Sequence, residues 1–273
     1  MIFKKIINLY RNLNAVSKII FYNILIFVIY LIINFLCFLL EKENKLIYYL
    51  GFFSDLKSLI KSPWTIFTYM FFHTNLLHIL FNMYALYFFG NLFLKLFFEK
   101  KFYRIYFLGG IFGAIFFSLF SYLMPLLYKN SYLIGASASV MSILVSISLY
   151  AKNYRINVKF LGKIKLIYIG LIFVLLNIIS IGTFNTGGHI AHLGGALVGL
   201  IFYTKEKYML LSLKKLLNTQ KSIHHMTDWE YNIRKKQIQL EVDKILDKIS
   251  LYGLNSLTKE EKEFLNRFSK NEN

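Results

Sequence analysis

The sequence predicts an all-α, polytopic membrane protein. Of its 273 residues, 56% are hydrophobic and 18% aromatic, and only two are proline, which is more apolar than an ordinary globular domain. Most of the basic residues behind the formal charge of +18 stand in short clusters between apolar runs or in the tail. This pattern favours lysines that meet anionic lipid headgroups, and we expect no nucleic-acid partner. A single cysteine, Cys37, excludes an internal disulfide.

The first element is a basic amino-terminal segment followed by an apolar run. Residues 1–18 mix lysine and arginine with apolar side chains and predict an amphipathic segment at the membrane surface. Residues 19–40 carry no charge and exceed the length of about 20 residues that a helix needs to cross a bilayer core. The run is too long for the apolar part of a signal peptide and has no small-residue cleavage site after it, so we expect a retained first span.

Five further apolar runs follow the first one. They cover residues 66–98, 106–127, 133–150, 164–181 and 190–203. The loop 41–64 mixes charges with short apolar pieces and ends at Trp64, which predicts a loop anchored at the membrane interface. The six spans together predict a helical bundle over residues 19–204.

The tail, residues 205–273, has a different composition. It predicts a cytoplasmic linker and a small helical region. Within it, Thr258-Lys259-Glu260-Glu261 has the pattern of a capping box at the start of a short helix. Recruitment of a cytoplasmic partner is one hypothesis for this region.

Basic residues also predict the orientation of the spans. The amino-terminal segment and the loops after spans two and four are rich in lysine and arginine, whereas the loops after spans three and five are nearly uncharged. Because cytoplasmic loops are enriched in these residues, we expect both termini in the cytoplasm. We also expect a multi-pass protein of a bacterial inner membrane. Spans two, four and six then run from the outside to the inside.

Polar side chains occur early in each of these three spans. They are His78 and Asn82 in span two, Ser137 in span four, and His189 and His192 in span six. Their common orientation predicts a similar depth in the outer part of the bilayer. Such groups are costly in lipid unless they face one another or a water-filled cavity, so they are candidates for a functional site.

Ser137 lies in the sequence Gly135-Ala136-Ser137-Ala138-Ser139, ahead of an apolar run. This placement predicts Ser137 in the first turns of a helix, where unpaired N–H groups and the helix dipole favour a developing anion. Small residues in a membrane helix also permit close packing between helices, and the pentapeptide alone favours that interpretation.

His192 stands beside Gly195 and Gly199, which form a Gly-x-x-x-Gly pair and predict helix packing. A packing face, however, needs no imidazole. A serine hydroxyl is a weak nucleophile until a base removes its proton, and a neutral histidine is the usual partner. The sequence has no acidic residue at the membrane depth predicted for Ser137 and His192, so the predicted unit is a dyad of these two residues rather than a triad.

His78 and Asn82 are four residues apart and share one helix face. They could simply form structural hydrogen bonds to neighbouring helices. Next to the dyad, they and the Ser137 N–H could instead donate hydrogen bonds to a tetrahedral oxyanion. His73 and His189 are expected to lie nearer the water than the reacting groups do.

Three separated motifs carry a resemblance to a known family. They are His73-Thr74-Asn75-Leu76-Leu77-His78-Ile79-Leu80-Phe81-Asn82, then Gly135-Ala136-Ser137-Ala138, then Ala191-His192-Leu193-Gly194-Gly195 with Gly199. In these motifs, and over roughly residues 19–203, the sequence resembles the rhomboid family of intramembrane serine proteases.

The resemblance implies a six-helix bundle with a water-filled site that opens outward. It implies that Ser137 and His192 are catalytic and that His78 and Asn82 support the oxyanion. It also implies that the substrates are single-span membrane proteins, cut where helix-destabilising residues let the segment unwind, and that span five serves as a lateral gate. We expect no cofactor and no metal.

Two positions depart from the pattern of the family. Ala138 stands where glycine most often follows the nucleophile, and Met141 stands where an aromatic side chain often stacks on the catalytic histidine. Neither change removes a reacting group, so we expect activity. Two alternatives remain open. One is a catalytically silent relative that binds transmembrane segments, and the other is a haem or metal protein that uses histidines of the spans, namely His73, His78, His189 and His192.

Overall fold

The computed structural model describes residues 10–125, 131–158, 162–183 and 185–217, together with scattered positions between 232 and 265. The chain forms two compact units, residues 1–221 and residues 222–273. Within the predicted amino-terminal segment 1–18, residues 1–9 lie outside the described part of the chain.

The first unit is mostly helical. In chain order its helices are α1 (Ala15–Leu39), α2 (Leu46–Leu50), α3 (Leu56–Lys61), α4 (Thr65–Thr68), α5 (Leu76–Leu96), α6 (Glu99–Leu123), α7 (Ser137–Tyr150), α8 (Leu166–Ile179) and α9 (Thr186–Leu217). Its strands are β1 (Phe52–Phe53), β2 (Tyr132–Leu133), β3 (Arg155–Val158) and β4 (Gly162–Lys165).

Three of the described helices, α1, α5 and α6, are long and apolar enough to cross a membrane. They correspond to the first three predicted spans. Helices α7 and α8 are also apolar but have 14 residues each, a length of about 21 Å at 1.5 Å per residue. The prediction of a helical, multi-pass membrane protein is therefore confirmed, while the count of six spans stays a prediction.

The second predicted span, residues 66–98, is not one continuous helix. Helix α4 is followed by a 3-10 turn, Tyr69–Phe71, and α5 starts only after Asn75. The Asn75 side-chain oxygen accepts hydrogen bonds from the N–H groups of Leu77 and His78 at 2.8 and 3.3 Å, which caps the new helix. The predicted start was wrong because the apolar residues before this cap extended the hydrophobic run beyond the helix itself.

Helix α7 likewise begins later than residue 133, at Ser137. The residues just before it form β2, which pairs with β1 in an antiparallel ladder. The paired residues are Phe52 with Leu133 and Phe53 with Tyr132. The ladder therefore attaches the loop that follows α1 to the chain that leads into α7.

Helix α7 lies at the centre of the first unit. All of its residues from Ala138 to Ser148 are buried, and it packs against α5, α6, α8 and α9. Glycines of α9 allow the closest of these approaches. Gly195 lies against the carbonyl oxygen of Ala138 and Gly199 against that of Ser142, where an added Cβ would have no room.

Helices α1 and α8 expose large apolar side chains on their outer faces. In α1 these include Phe35 and Phe38, and in α8 they include Leu171, Leu176 and Ile179. Outer faces made up mostly of apolar side chains are expected where a helix meets lipid rather than water.

A β-hairpin of β3 and β4 joins α7 to α8. Three of its cross-strand pairs are Arg155 with Lys165, Ile156 with Ile164, and Asn157 with Lys163. Because alternate residues of a strand point to opposite faces, the basic residues share one face of the hairpin and the isoleucines share the other. The sequence predicted only a basic loop here.

The second unit contains the predicted capping box. The Thr258 N–H donates to Glu261 Oε2 at 2.8 Å, and the Glu261 N–H donates to Thr258 Oγ1 at 3.2 Å, which confirms that prediction. Lys248 donates to the Glu261 carboxylate at 2.9 Å. This hydrogen bond is the main reason why the pKa of Glu261 is held below its usual range.

Candidate active site

Ser137 is the first residue of α7, so its side chain stands at the end of the helix where backbone N–H groups are unpaired. The chain before it is held by the segment that precedes α5. The Gly135 N–H donates to the Tyr69 carbonyl oxygen at 2.8 Å, and the Ala136 N–H donates to His73 Nε2 at 3.4 Å. Both contacts fix the direction from which the chain enters α7.

His192 reaches Ser137 from α9. The distance between His192 Nε2 and Ser137 Oγ is 2.6 Å, which is within hydrogen-bonding range. The contact between Gly195 and the Ala138 carbonyl lies one turn further along α9 and sets the separation of the two helices. A serine and a histidine that are 55 positions apart in the sequence thus meet between two closely packed helices.

Asn177 of α8 makes a contact that the sequence analysis missed. Its Oδ1 atom lies 2.6 Å from Nδ1 of His192 and 2.9 Å from Nδ1 of His189. The sequence predicted a pair of reacting residues because no carboxylate is available at this depth. The structure places an amide oxygen in the position, next to the far nitrogen of the imidazole, that a carboxylate occupies in a serine–histidine–aspartate triad.

A signal for Asn177 was present in the sequence. Within the apolar run Leu166–Ile179, asparagine is the one residue with an amide side chain. A polar side chain inside a membrane span is expensive and marks a functional candidate, and Asn177 is 7% exposed. The sequence could not show which helix it faces, because α8 has apolar residues on every side.

His78 and Asn82 line the same site from α5. The His78 ring packs edge-on against His73, with ring centroids 4.9 Å apart. Asn82 Nδ2 donates to the His78 carbonyl oxygen at 3.0 Å. Since an amide nitrogen carries two hydrogens, this bond leaves one of them for another acceptor.

His73 and His189 differ in their burial. His73 has an exposed fraction of 0%, so its expected place near the water was wrong. It is enclosed because its ring packs against His78 and accepts a hydrogen bond from the Ala136 N–H. His189 is half-buried and forms a hydrogen bond with Asn177.

A cavity of about 810 Å³ lies between the side chains of the candidate site. The polar side chains on its wall include His78, Asn82, Ser137, Asn177 and His192. Four of the predicted site residues therefore share one cavity, while Gly195 and Gly199 lie at the helix contact described above. Within the described ranges, no three His, Cys, Asp or Glu side chains are grouped so that they could hold a metal ion.

A model of the Rhomboid domain matches residues 61–206, which is more than half of the chain. The chain belongs to the rhomboid family. Rhomboid-domain proteins are generally intramembrane serine proteases, and the family also includes inactive relatives. The matched region of this rhomboid contains every residue of the candidate site.

The tail matches a different family. Residues 226–271 match a family of unknown function, DUF6576. No curated protein matches the chain.

The two departures from the rhomboid pattern are both buried. The Ala138 methyl group faces Gly113 of α6, where a Cβ would lie only 2.7 Å from it, so the glycine makes room for the methyl. Met141 is 4% exposed and contributes to the cavity wall. The methyl of Ala138 is thus accommodated against α6, and Ala138 also contributes to the cavity wall.

Proposed function

We propose that this rhomboid is an intramembrane serine endopeptidase that cleaves membrane-spanning segments of other proteins with Ser137 and His192. The observation that carries the proposal is the 2.6 Å contact between His192 Nε2 and Ser137 Oγ. It lies on the wall of an 810 Å³ cavity, in a chain of a family whose members are generally proteases of this kind.

In the proposed reaction, Ser137 Oγ attacks the carbonyl carbon of the scissile peptide bond while its proton passes to His192 Nε2. The C–N bond then breaks, and His192 returns this proton to the leaving amine. A water molecule gives a proton to His192 Nε2 as it attacks the acyl-enzyme. Collapse of that second intermediate releases the acid product and restores the Ser137 hydroxyl.

The oxyanion forms next to the amino-terminal end of α7. We assign its donors as the Ser137 N–H and the side chains of His78 and Asn82, all of which border the cavity. Donors that are fixed before the reaction begins do not have to be reorganised as charge develops, and one such donor typically contributes about 2.7–4 kcal/mol to transition-state stabilisation.

The proposed substrates are single-span membrane proteins in the lipid bilayer around the bundle. A peptide bond inside a helix is shielded by its own hydrogen bonds, so the segment must unwind for its carbonyl to reach Ser137. The proposal includes six spans, both termini in the cytoplasm and residence in a bacterial inner membrane. The 205–273 region remains a candidate for binding a cytoplasmic partner.

The first test is labelling of the detergent-solubilised protein with a fluorophosphonate probe, which reacts with activated serines. We expect labelling of the wild type and none of Ser137→Ala or His192→Ala. Ser139→Ala is the matched control, because Ser139 is two residues further along α7, fully buried, and has no part in the proposed reaction. It should label like the wild type.

Folded wild-type protein that fails to label in detergent and again in lipid would contradict the proposal. In that case the site would be that of a silent relative that binds transmembrane segments. Melting curves for all four proteins exclude loss of fold as the cause.

A further inference from the structure

We propose that Asn177 is the positioning residue of the base: it holds His192 with the proton on Nδ1, so that Nε2 is free to take the proton of Ser137. This inference rests on the proposed function, because it assigns a role within that reaction. It also makes α8 a further helix on which the reaction depends, besides α7 and α9, which carry the serine and the histidine, and α5, which carries the proposed oxyanion donors.

The orientation of the Asn177 amide is fixed by its own helix. Its Nδ2 group donates to the Phe173 carbonyl oxygen, one turn earlier, at 2.8 Å. If the amide were rotated by half a turn, its oxygen would face that carbonyl oxygen at the same short distance, and two acceptors would oppose each other. The oxygen of Asn177 therefore faces the two histidine rings.

The orientation of the amide decides the tautomer of His192. An amide oxygen only accepts hydrogen bonds, so the atom 2.6 Å away, Nδ1 of His192, must be the donor. A neutral imidazole carries one N–H, which leaves Nε2 as an acceptor. Nε2 is the atom 2.6 Å from Ser137 Oγ, so the serine hydroxyl donates to it and the pair is ready for proton transfer.

His189 strengthens this arrangement. Its Nδ1 atom lies 2.9 Å from the same Asn177 oxygen, which has two lone pairs and can accept from both rings. The two histidines are three residues apart on α9, so both face α8. Asn177 thus has each of its polar atoms engaged while only 7% of the residue is exposed.

The proposal can be tested on tautomers as well as on activity. Nitrogen-15 NMR of histidine-labelled protein, near pH 8 where a reference imidazole is neutral, distinguishes N–H from bare ring nitrogens. We expect His192, assigned by the loss of its signals in His192→Gln, to have its proton on Nδ1 in the wild type. The Ser137→Ala protein should give the same result, because the tautomer is set by Asn177.

Two substitutions separate the role of the acceptor from that of volume. Asn177→Leu has a side chain of similar size but no acceptor. We expect it to give a mixture of His192 tautomers and fluorophosphonate labelling about 10²-fold slower than the wild type, because the base is no longer held in place. Asn177→Asp keeps an acceptor oxygen and should retain the Nδ1 proton, with labelling at least about tenfold faster than Asn177→Leu.

Asn23→Leu is the matched control for these variants. Asn23 is another buried asparagine whose Nδ2 donates to the carbonyl oxygen one turn earlier, that of Ile19, at 2.9 Å. It lies in α1, away from the site. It should label like the wild type with an unchanged His192 tautomer.

A proton on Nε2 of His192 in the wild type would overturn the proposal, even if no variant at position 177 folded. An Asn177→Leu protein with the wild-type tautomer and labelling within about threefold of Asn23→Leu would overturn it as well. Failure of the proposed function has a different signature, since the wild type would then show the Nδ1 proton but no labelling.

Discussion

At the scale of single residues, Gly135 has little freedom to change. Its φ angle is 102°, a region that residues with a side chain rarely adopt. A Cβ there would lie 2.6 Å from Cε1 and 2.7 Å from Nε2 of His78. The glycine therefore serves both the turn into α7 and the placement of a proposed oxyanion donor.

Replacement of Gly135 by alanine should lower both the stability of the protein and its rate of fluorophosphonate labelling. The left-handed conformation costs a residue with a side chain about 1–2 kcal/mol, and displacement of His78 should slow labelling about 10²-fold. Denaturation and fluorophosphonate labelling in detergent measure the two effects.

Gly182→Ala separates conformational strain from the contact with His78. Gly182 has φ of 90°, and no described atom lies within 4 Å of its added Cβ. This control should lose comparable stability but label normally. Equal labelling of the Gly135 and Gly182 variants would contradict the assigned role of Gly135.

Asn82 allows a test of the proposed oxyanion donors. Asn82→Ala removes the side-chain donor and should slow labelling by about 10²–10³-fold with little change in melting temperature, because the donor acts on the transition state. Labelling rates at several probe concentrations measure the effect.

The control for Asn82 lies on the same helix. Asn91 Nδ2 also donates to the carbonyl oxygen one turn earlier, at 2.7 Å, but Asn91 is not on the cavity wall. Asn91→Ala should label normally. If Asn82→Ala instead lost stability and labelling in proportion, the structural interpretation of this asparagine would be the better one.

At the scale of helices, the separation of α7 and α9 is set by backbone contact. An alanine methyl at Gly195 has no room against the Ala138 carbonyl, so Gly195→Ala must push the helices apart. Overpacking of this kind costs about 1–3 kcal/mol, and a shift of about 1 Å between reacting groups can cost about 10²-fold in rate. We expect the rate of labelling, measured on protein that is still folded, to fall further than the loss of stability alone explains.

The matched control for this helix is Leu200→Ala. Leu200 is also on α9, but its side chain is 44% exposed on the outer face. Normal labelling of Leu200→Ala and slow labelling of Gly195→Ala are expected. If Gly195→Ala labels at the wild-type rate, the backbone contact does not control the distance between Ser137 and His192.

The elements that could be predicted are those that depend on composition alone. Long apolar runs indicated α1, α5 and α6, and the small residues around Ser137 indicated a helix start, which the structure places at Ser137 itself. The start of α5 was missed because the apolar residues Tyr69–Phe71 resemble the beginning of a span, whereas the Asn75 cap is what begins the helix.

The parts of the site that could not be predicted depend on contacts between distant segments. The pairing of β1 with β2 joins residues 79 and 81 positions apart, which no local pattern reveals. Asn177 was visible as a polar residue in an apolar helix, but only its distances to His189 and His192 show which neighbours it serves. The proposed roles of Ser137 and His192 came from chemistry and from resemblance, and they stay predictions until labelling is measured.

At the scale of the whole molecule, the predicted orientation can be tested with two exposed positions. In a Cys37→Ser background, Lys57→Cys lies in the loop after α1 and Asn153→Cys lies in the turn after α7. Because basic loops are kept in the cytoplasm, a membrane-impermeant maleimide should label the first cysteine in intact cells and the second only after permeabilisation. The opposite pattern would reverse the orientation of the bundle.

Burial differs sharply between the helix of the proposed nucleophile and the helix of the proposed positioning residue. Helix α7 is enclosed by other helices from Ala138 to Ser148, whereas α8 exposes large apolar side chains along most of its length. We therefore expect the acyl chains of the bilayer to have little access to the helix of Ser137 but to contact the helix of Asn177. If lipid chain length or order affects this protein, the effect should reach the histidine first and leave the serine in place.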